Sequence, residues 1–314
     1  MTRQAQPGQS TTQLTVFSPA KINLYLRILG KRPDGYHELE TVMLPLTFGD
    51  ELTLGSAKSG LKLECDHPGL ATDDSNIALR AAKLLTEHSG VDCGARILLR
   101  KRTPLAAGLG GGSSNAAAVL TGLNRLWKLN LPNTTLHDLA ARLGSDIDFF
   151  LAESAAMCRG RGERIEPVAC NFSGSILLVN PGFGISTKWA YGNWAKAAAD
   201  SRLTHKFPEV SLLLRALAQD DLAGIAQGLF NSLETPSIRK FPVLGLLKKA
   251  MCENGAAGAL MSGSGATVFG VFAKTADAER SARQIREHFG PSMWTTITRF
   301  ADSTDASEVG GTAR

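Results

Sequence analysis

TPLAAGLGGGSSNAAAVLTGLNRLWKL, residues Thr103–Leu129, runs a glycine-rich loop directly into a helix-forming segment. Ala116, Leu120, Leu123 and Trp127 recur at helical spacing and form one apolar stripe, so the loop feeds a helix N-terminus. From Gly108 through Leu109, Gly110, Gly111, Gly112 and Ser113 to Ser114 the side chains are absent or mostly small, which lets backbone N–H groups approach an oxyanion. The helix beyond adds unpaired N–H groups and the positive end of its dipole. Phosphate is the ligand this chemistry suits, although on the loop alone a tight turn that merely starts a helix is an equal reading. Two common phosphate signatures do not fit. There is no G-K-[ST], and a G-x-G-x-x-G frame beginning at Gly108 has Ser113 where its last glycine belongs.

Upstream, ARILLRKR (95–102) reads as a strand with a basic end, and IALRAAKLLTEH (77–88) as a helix capped near Ser75-Asn76. Ala20, Ile22, Leu24, Leu26 and Ile28 alternate with Lys21, Asn23, Tyr25 and Arg27, the pattern of a half-buried strand with Lys21 and Asn23 on one face. Pro33-Asp34-Gly35 predicts a turn that carries Tyr36 and His37, followed by a strand over Leu39–Leu46. Downstream, a helix over Thr135–Leu143 ends at Gly144, a natural C′ position, and Ser145-Asp146 follows it. Pro167 and the turn-forming run at 171–174 separate strand-like stretches. We therefore expect domains at 14–168 and 169–300, with disordered tails at 1–13 and 301–314.

Hydrophobic residues at 43% and charged residues at 20% describe an ordinary globular chain, not a disordered, fibrous or membrane-embedded one. A net charge of +5 favours an anionic ligand without requiring nucleic acid, since no dense basic stripe with interleaved aromatics is present. The five cysteines include no C-x-x-C pair, which suggests a reducing cytoplasm and neither a disulfide framework nor a zinc site. MTRQAQPGQSTTQ has no apolar core and reads as neither a secretory signal nor a span. The charge-free stretch 255–273 has the length of a membrane helix, but its GAAGALMSGSGAT half is too rich in turn-formers, and it reads as a buried loop and strand. Apart from His37, the histidines, His205 among them, show no metal-ligand spacing.

SPAKINLYL (18–26), PLAAGLGGGSS (104–114) and MSGSGATVF (261–269) together resemble the three signature motifs of the GHMP kinases, in the right order and at fitting separations. KRPDGYHEL (31–39), DSNIAL (74–79), GSDIDFF (144–150) and PGFGIST (181–187) resemble the branch of that family that acts on a CDP-linked methylerythritol. The resemblance implies an α+β, two-domain GHMP kinase fold, with a ribosomal-protein-like N-terminal ATP domain and a ferredoxin-like C-terminal domain. It implies ATP and Mg²⁺ as cofactors, a step in non-mevalonate isoprenoid precursor synthesis, and a small-molecule partner with neither nucleic acid nor membrane. An alternative acceptor is another small alcohol, as in mevalonate- or homoserine-kinase-like members, and an RNA-binding module is the reading from a different class.

By the same resemblance, Lys21 and Asp146 carry catalysis. A hydroxyl nucleophile needs a carboxylate to orient it or take its proton, and a cation to balance the phosphoryl charge. Asp148 stands where the family commonly has proline, and Asp146 is chosen over it on the Gly-x-Asp spacing. Pro104, Ala106 and the loop from Gly108 to Ser114 would hold ATP, with Asn76 beside the adenine or simply capping its helix. Asn23, Tyr36, His37, Thr187 and Tyr191 would bind the acceptor. Tyr36 and Tyr191 would stack on cytosine while His37 reads its edge, unless Tyr36 packs behind the turn and Tyr191 joins the Trp189–Trp194 cluster as core. No metal ligand is assigned, and Arg159, Arg161 and Arg164 are left between an anion patch and a solvated hairpin.

Overall fold

The computed structural model describes residues 13–152, 154–198 and 207–301; His205 and nearly all of both expected tails lie outside them. The N-terminal alternation extends into a hairpin longer than periodicity suggested, β1 (Gln13–Lys31) against β2 (His37–Ala57). Its turn closes through the Arg32 N–H on the Tyr36 carbonyl at 2.8 Å, with Gly35 at φ +86°, a left-handed conformation that glycine adopts without penalty.

There follow β3 (Leu61–Cys65), α1 (Ile77–Ser89), β4 (Gly94–Arg100), α2 (Gly111–Leu126), α3 (Asn133–Leu143), α4 (Ile147–Leu151), β5 (Ala156–Gly160) and β6 (Arg164–Pro167). Besides β1, the long β2 serves two further partners: Leu39–Met43 pair with β5 and Glu51–Ala57 with β4. Beyond Pro167 the chain enters a second sheet. The elements there are β7 (Ser175–Asn180), α5 (Thr187–Ala198), α6 (Val210–Ala218), α7 (Leu222–Gly228), β8 (Phe230–Asn231), α8 (Glu234–Lys240), α9 (Val243–Glu253), β9 (Gly258–Met261), β10 (Val268–Phe272), α10 (Thr275–Phe289) and β11 (Trp294–Thr298). Its order β11-β7-β10-β9, antiparallel throughout, is the ferredoxin-like arrangement. β8 crosses back and pairs in parallel with β1 at Tyr25 and Leu26.

β1 is not half-buried as its alternation predicts. Ala20, Ile22 and Leu24 share a core with Ile176, Leu178, Phe269 and Val271 of the second sheet, while Lys21 and Asn23 on the opposite face are each only 3% exposed. Polar residues on a strand's outer face normally meet water. Here the glycine loop lies against Lys21, and Gly263 of the third motif lies near Asn23. Gly144 ends α3 as expected, but at φ 173°, extended backbone open to any residue. The stretch 255–273 forms β9, a turn and β10, and no helix of the described residues is long and apolar enough to cross a membrane.

Candidate active site

The three sequence motifs meet at one point. Register shifts in β1 between Pro19 and Lys21 and between Asn23 and Tyr25 bracket Lys21 and Asn23, and such bulges re-aim side chains. Lys21 Nζ donates to Asn23 Oδ1 at 2.6 Å and to the Gly108 carbonyl at 3.1 Å. The backbone N–H of Lys21 binds the Leu109 carbonyl at 3.0 Å. From the third motif, Ser262 Oγ donates to the same Gly108 carbonyl at 3.0 Å. Asn23 is held in turn by its amide on Thr41 Oγ1 at 2.9 Å. Both Gly108 and Gly110 have positive φ, and a Cβ on Gly108 would come within 2.1 Å of the Ser262 carbonyl oxygen. Small residues here serve the close approach of the two loops as well as any ligand.

α2 begins beyond Gly110 with no side-chain cap, so the N–H groups of its first turn have no intrahelical partner and face the cleft. Behind that turn lies a buried network that the sequence reading missed. Asp50, fully buried, accepts from the N–H groups of Arg102 and Thr103 at 2.8 Å each and from Asn115 Nδ2 at 2.9 Å, and pairs with Lys101. Asn115 Nδ2 also reaches Ser18 Oγ, whose hydroxyl donates to Ser114 Oγ. The signal was the basic end of the strand before the loop, to which the sequence assigns no partner.

Asp146 and Asp148 are sorted by α4. Asp146 lines the cleft and acts electrostatically on Lys21, whereas Asp148 is buried against His137, 3.3 Å from Nδ1. Burial pushes the Lys21 ammonium below the ordinary lysine value, and the Asp146 carboxylate opposes that fall. Burial, with Asp146 adding to it, drives the Cys158 thiol up to about 12 and raises the Tyr191 phenol as well.

A cleft of ≈ 620 Å³ brings together Lys21, Asn23, Asn76, Pro104, Ala106, residues 108–113, Asp146, Thr187 and Tyr191. Asn76 has a firm structural duty as well: Oδ1 caps α1 by accepting from the Ala78 N–H at 2.9 Å, and Nδ2 donates to the Ala71 carbonyl at 2.7 Å. Three other residues do not line the cleft. Ser114 is 1% exposed and turned to Ser18. Tyr36 is 54% exposed on its turn, beneath the Arg161 guanidinium at 4.8 Å. His37 packs behind the cleft wall, its ring 5.0 Å from Tyr191 and 5.7 Å from Trp194, and its buried Nε2 has no protein partner. Tyr191 thus belongs to an aromatic group and faces the cleft at once.

Uncapped helix N–H groups, glycines and a buried lysine fit a polyphosphate. Among the described residues no group of three or more His, Cys, Asp or Glu is arranged to hold a metal ion. A divalent ion would therefore take most of its ligands from phosphate and water.

Residues 76–153 match the N-terminal domain of the GHMP kinases, and residues 213–290 match their C-terminal domain. A 4-diphosphocytidyl-2-C-methyl-D-erythritol kinase of Synechococcus sp. (strain JA-3-3Ab) is 42% identical over 290 residues, covering 91% of this chain and 94% of that one. Another, of Chlorobium phaeobacteroides (strain BS1), is 42% identical over 277 residues, covering 88% and 95%. A crystal structure of 4-(cytidine 5'-diphospho)-2C-methyl-D-erythritol kinase has a TM-score of 0.76 and 37% identity, covering 91% of this chain and 99% of that one.

Proposed function

This chain belongs to the GHMP kinase family, and on that premise we propose that it transfers the γ-phosphoryl group of ATP to the 2-hydroxyl of 4-diphosphocytidyl-2-C-methyl-D-erythritol. The observation that carries the reading is the convergence of Lys21, Asp146 and the uncapped first turn of α2 on one cleft. Asp146 orients the acceptor hydroxyl and takes its proton. An ammonium has three donors, and Lys21 spends two of them on Asn23 and Gly108, which leaves one for the reacting oxygen or a γ-phosphate oxygen. The N–H groups of the loop and first turn hold the transferred phosphoryl group's charge in a preorganised cradle. Mg²⁺ bound with ATP would supply further positive charge against its phosphates, beside the Lys21 ammonium and the loop N–H groups.

For the acceptor, Tyr191 offers its ring face to cytosine, while His37, behind Tyr191 with its unpartnered Nε2 buried, would read the base edge only by turning toward the cleft. Tyr36 would complete the stack only by moving inward from its exposed position. None of the five cysteines stands in a C-x-x-C pair, in keeping with a cytoplasmic enzyme of isoprenoid precursor synthesis, as the family resemblance implies.

The test is a coupled ADP-release assay with ATP, Mg²⁺ and the CDP-polyol beside mevalonate, homoserine and other small alcohols. Turnover is expected with the CDP-polyol alone, with competitive inhibition by CDP and CMP. Turnover of mevalonate or homoserine that CDP leaves untouched would overturn the acceptor assignment.

A further inference from the structure

Three cationic side chains line the cleft: Lys21, Lys101 and Arg161. Lys21 is bound by Asn23 and Gly108 and acts with Asp146. Lys101, with its side chain 3% exposed, is committed to Asp50. Arg161 differs. Its hairpin neighbours are satisfied by acids, Arg159 by Glu166 at 2.7 Å and Glu40 at 3.6 Å, and Arg164 by Glu38 at 2.7 Å. Among the described residues the Arg161 guanidinium makes no ion pair. Asp34, an acid whose charge it feels, is held by Arg32 at 3.1 Å. Among the described residues the guanidinium of Arg161 has the Tyr36 ring as its close partner, 4.8 Å away.

The hairpin places this cation deliberately. Arg161 sits between Gly160 at φ +75° and Gly162 at φ +112°, with the Gly162 N–H on the Arg159 carbonyl at 3.1 Å. A Cβ on Gly162 would lie 3.9 Å from Asp146 Oδ1, so the turn that carries Arg161 also borders the reacting carboxylate.

The acceptor proposed above brings its own diphosphate, and the glycine loop and α2 N-terminus are engaged by the phosphates of ATP. A second polyphosphate needs a second cation. We infer that Arg161 reads the acceptor's diphosphate: the face of its guanidinium stacks on Tyr36 while its edge donors bind phosphate oxygens. The planar group has five N–H donors in its plane, so stacking leaves them available. One side chain then selects diphosphate-bearing acceptors and draws the exposed Tyr36 ring toward the nucleoside end. This inference rests on the CDP-linked reading of the site.

Steady-state kinetics of Arg161→Gln and Arg161→Lys test it, with competitive inhibition by CDP and by cytidine measured for each. For Arg161→Gln the KM for the CDP-polyol should rise roughly 10- to 100-fold, the scale of a lost charged hydrogen bond. Its kcat, its KM for ATP and its melting temperature should stay near wild type, and the preference for CDP over cytidine should collapse. Arg161→Lys should keep part of that preference, because charge persists without the stacked plane. A wild-type KM with the preference intact would overturn the inference, as would equal loss of CDP and cytidine binding, which would make Arg161 only a support for Tyr36. A wild-type enzyme that does not turn over the CDP-polyol would overturn the acceptor reading itself, a result read before any variant is made.

Discussion

The Asp148 carboxylate lies 3.3 Å from Nδ1 of His137, both away from the cleft that Asp146 lines. Two acids two residues apart in sequence therefore have different surroundings and different work. Asp146→Asn should lower kcat by ~10²- to 10⁴-fold with ligand affinities and folding nearly unchanged, the scale of a positioned acid–base group. Asp148→Asn should leave kcat within a few-fold. Measuring kcat and melting temperature for both variants decides the matter, and a reversed pattern would move the catalytic role to Asp148.

Lys21 titrates in opposite senses for activity and for stability. Burial lowers its value from 10.5, so the unfolded chain holds this proton at pH values where the folded chain has released it. In that window the group's contribution to stability rises with pH, and it is lost as pH falls through the folded value. Activity needs the charged ammonium and should instead fail on the alkaline side, with a limb in kcat/KM below 10.5. A limb at or above that value would show a solvated lysine. Lys21→Arg should not restore turnover, because a planar fork does not fit a compact ammonium's place between Asn23 Oδ1 and the Gly108 carbonyl.

Asp50 ties the strand end before the loop to the first turn of α2 through Lys101, Asn115 and two backbone N–H groups. Asp50→Ala leaves the buried Lys101 charge unpaired and should cost about 3–5 kcal/mol of stability, with a raised KM for ATP as the loop loosens. The double variant Asp50→Asn, Lys101→Met should recover most of the stability in denaturant titrations. If it remains as unstable as Asp50→Ala, the ion pair is not what matters there.

The strands and the loop-to-helix junction were legible because period and spacing are local signals, whereas the meeting of Lys21 with the glycine loop followed from the family resemblance alone. Burial of both faces of β1 was not legible, since Lys21 lies against Gly108 and Gly110, more than eighty residues away, and Asn23 lies near Gly263, farther still. The Asp50–Lys101 pair was missed for the same reason: nothing at either position distinguishes a buried ion pair from two surface charges. Ser114 and His37 carry the converse lesson. Their motifs were recognised, but motif membership does not tell whether a side chain faces the cleft or its supporting wall.

Tyr191 is both a cleft residue and a neighbour of the His37 ring at 5.0 Å. Tyr191→Ala should weaken the CDP-polyol roughly tenfold or more while the KM for ATP holds, as loss of a stacked base implies. Burial already keeps the phenol neutral, so Tyr191→Phe should be nearly silent. Equal losses for ATP and acceptor, together with a lower melting temperature, would make the ring core packing and not a base platform.

Gly110 and Gly112 lie two residues apart on the loop, but a Cβ added at each meets different atoms. At Gly110, where φ is +71°, it would come 2.7 Å from Phe150 Cζ and 3.0 Å from Lys21 Cγ. Gly110→Val should therefore lower stability and kcat together, through strain at a left-handed position and displacement of the catalytic lysine, whatever it does to ATP. At Gly112 the only neighbour is Ile77 Cγ2 at 3.6 Å, an ordinary contact, and the residue lies in the first turn of α2, where alanine favours the helix. Gly112→Ala should accordingly keep or raise the melting temperature. Its methyl group enters the face that the polyphosphate approaches, so the KM for ATP should rise by about tenfold, one lost charge-assisted contact, with kcat at saturation little changed. The pair of variants separates ligand approach from loop architecture. A Gly112→Ala enzyme with an unaltered KM for ATP would show that the phosphates do not pass over this turn, and that the glycines serve only the packing of Lys21, Phe150 and the Ser262 loop.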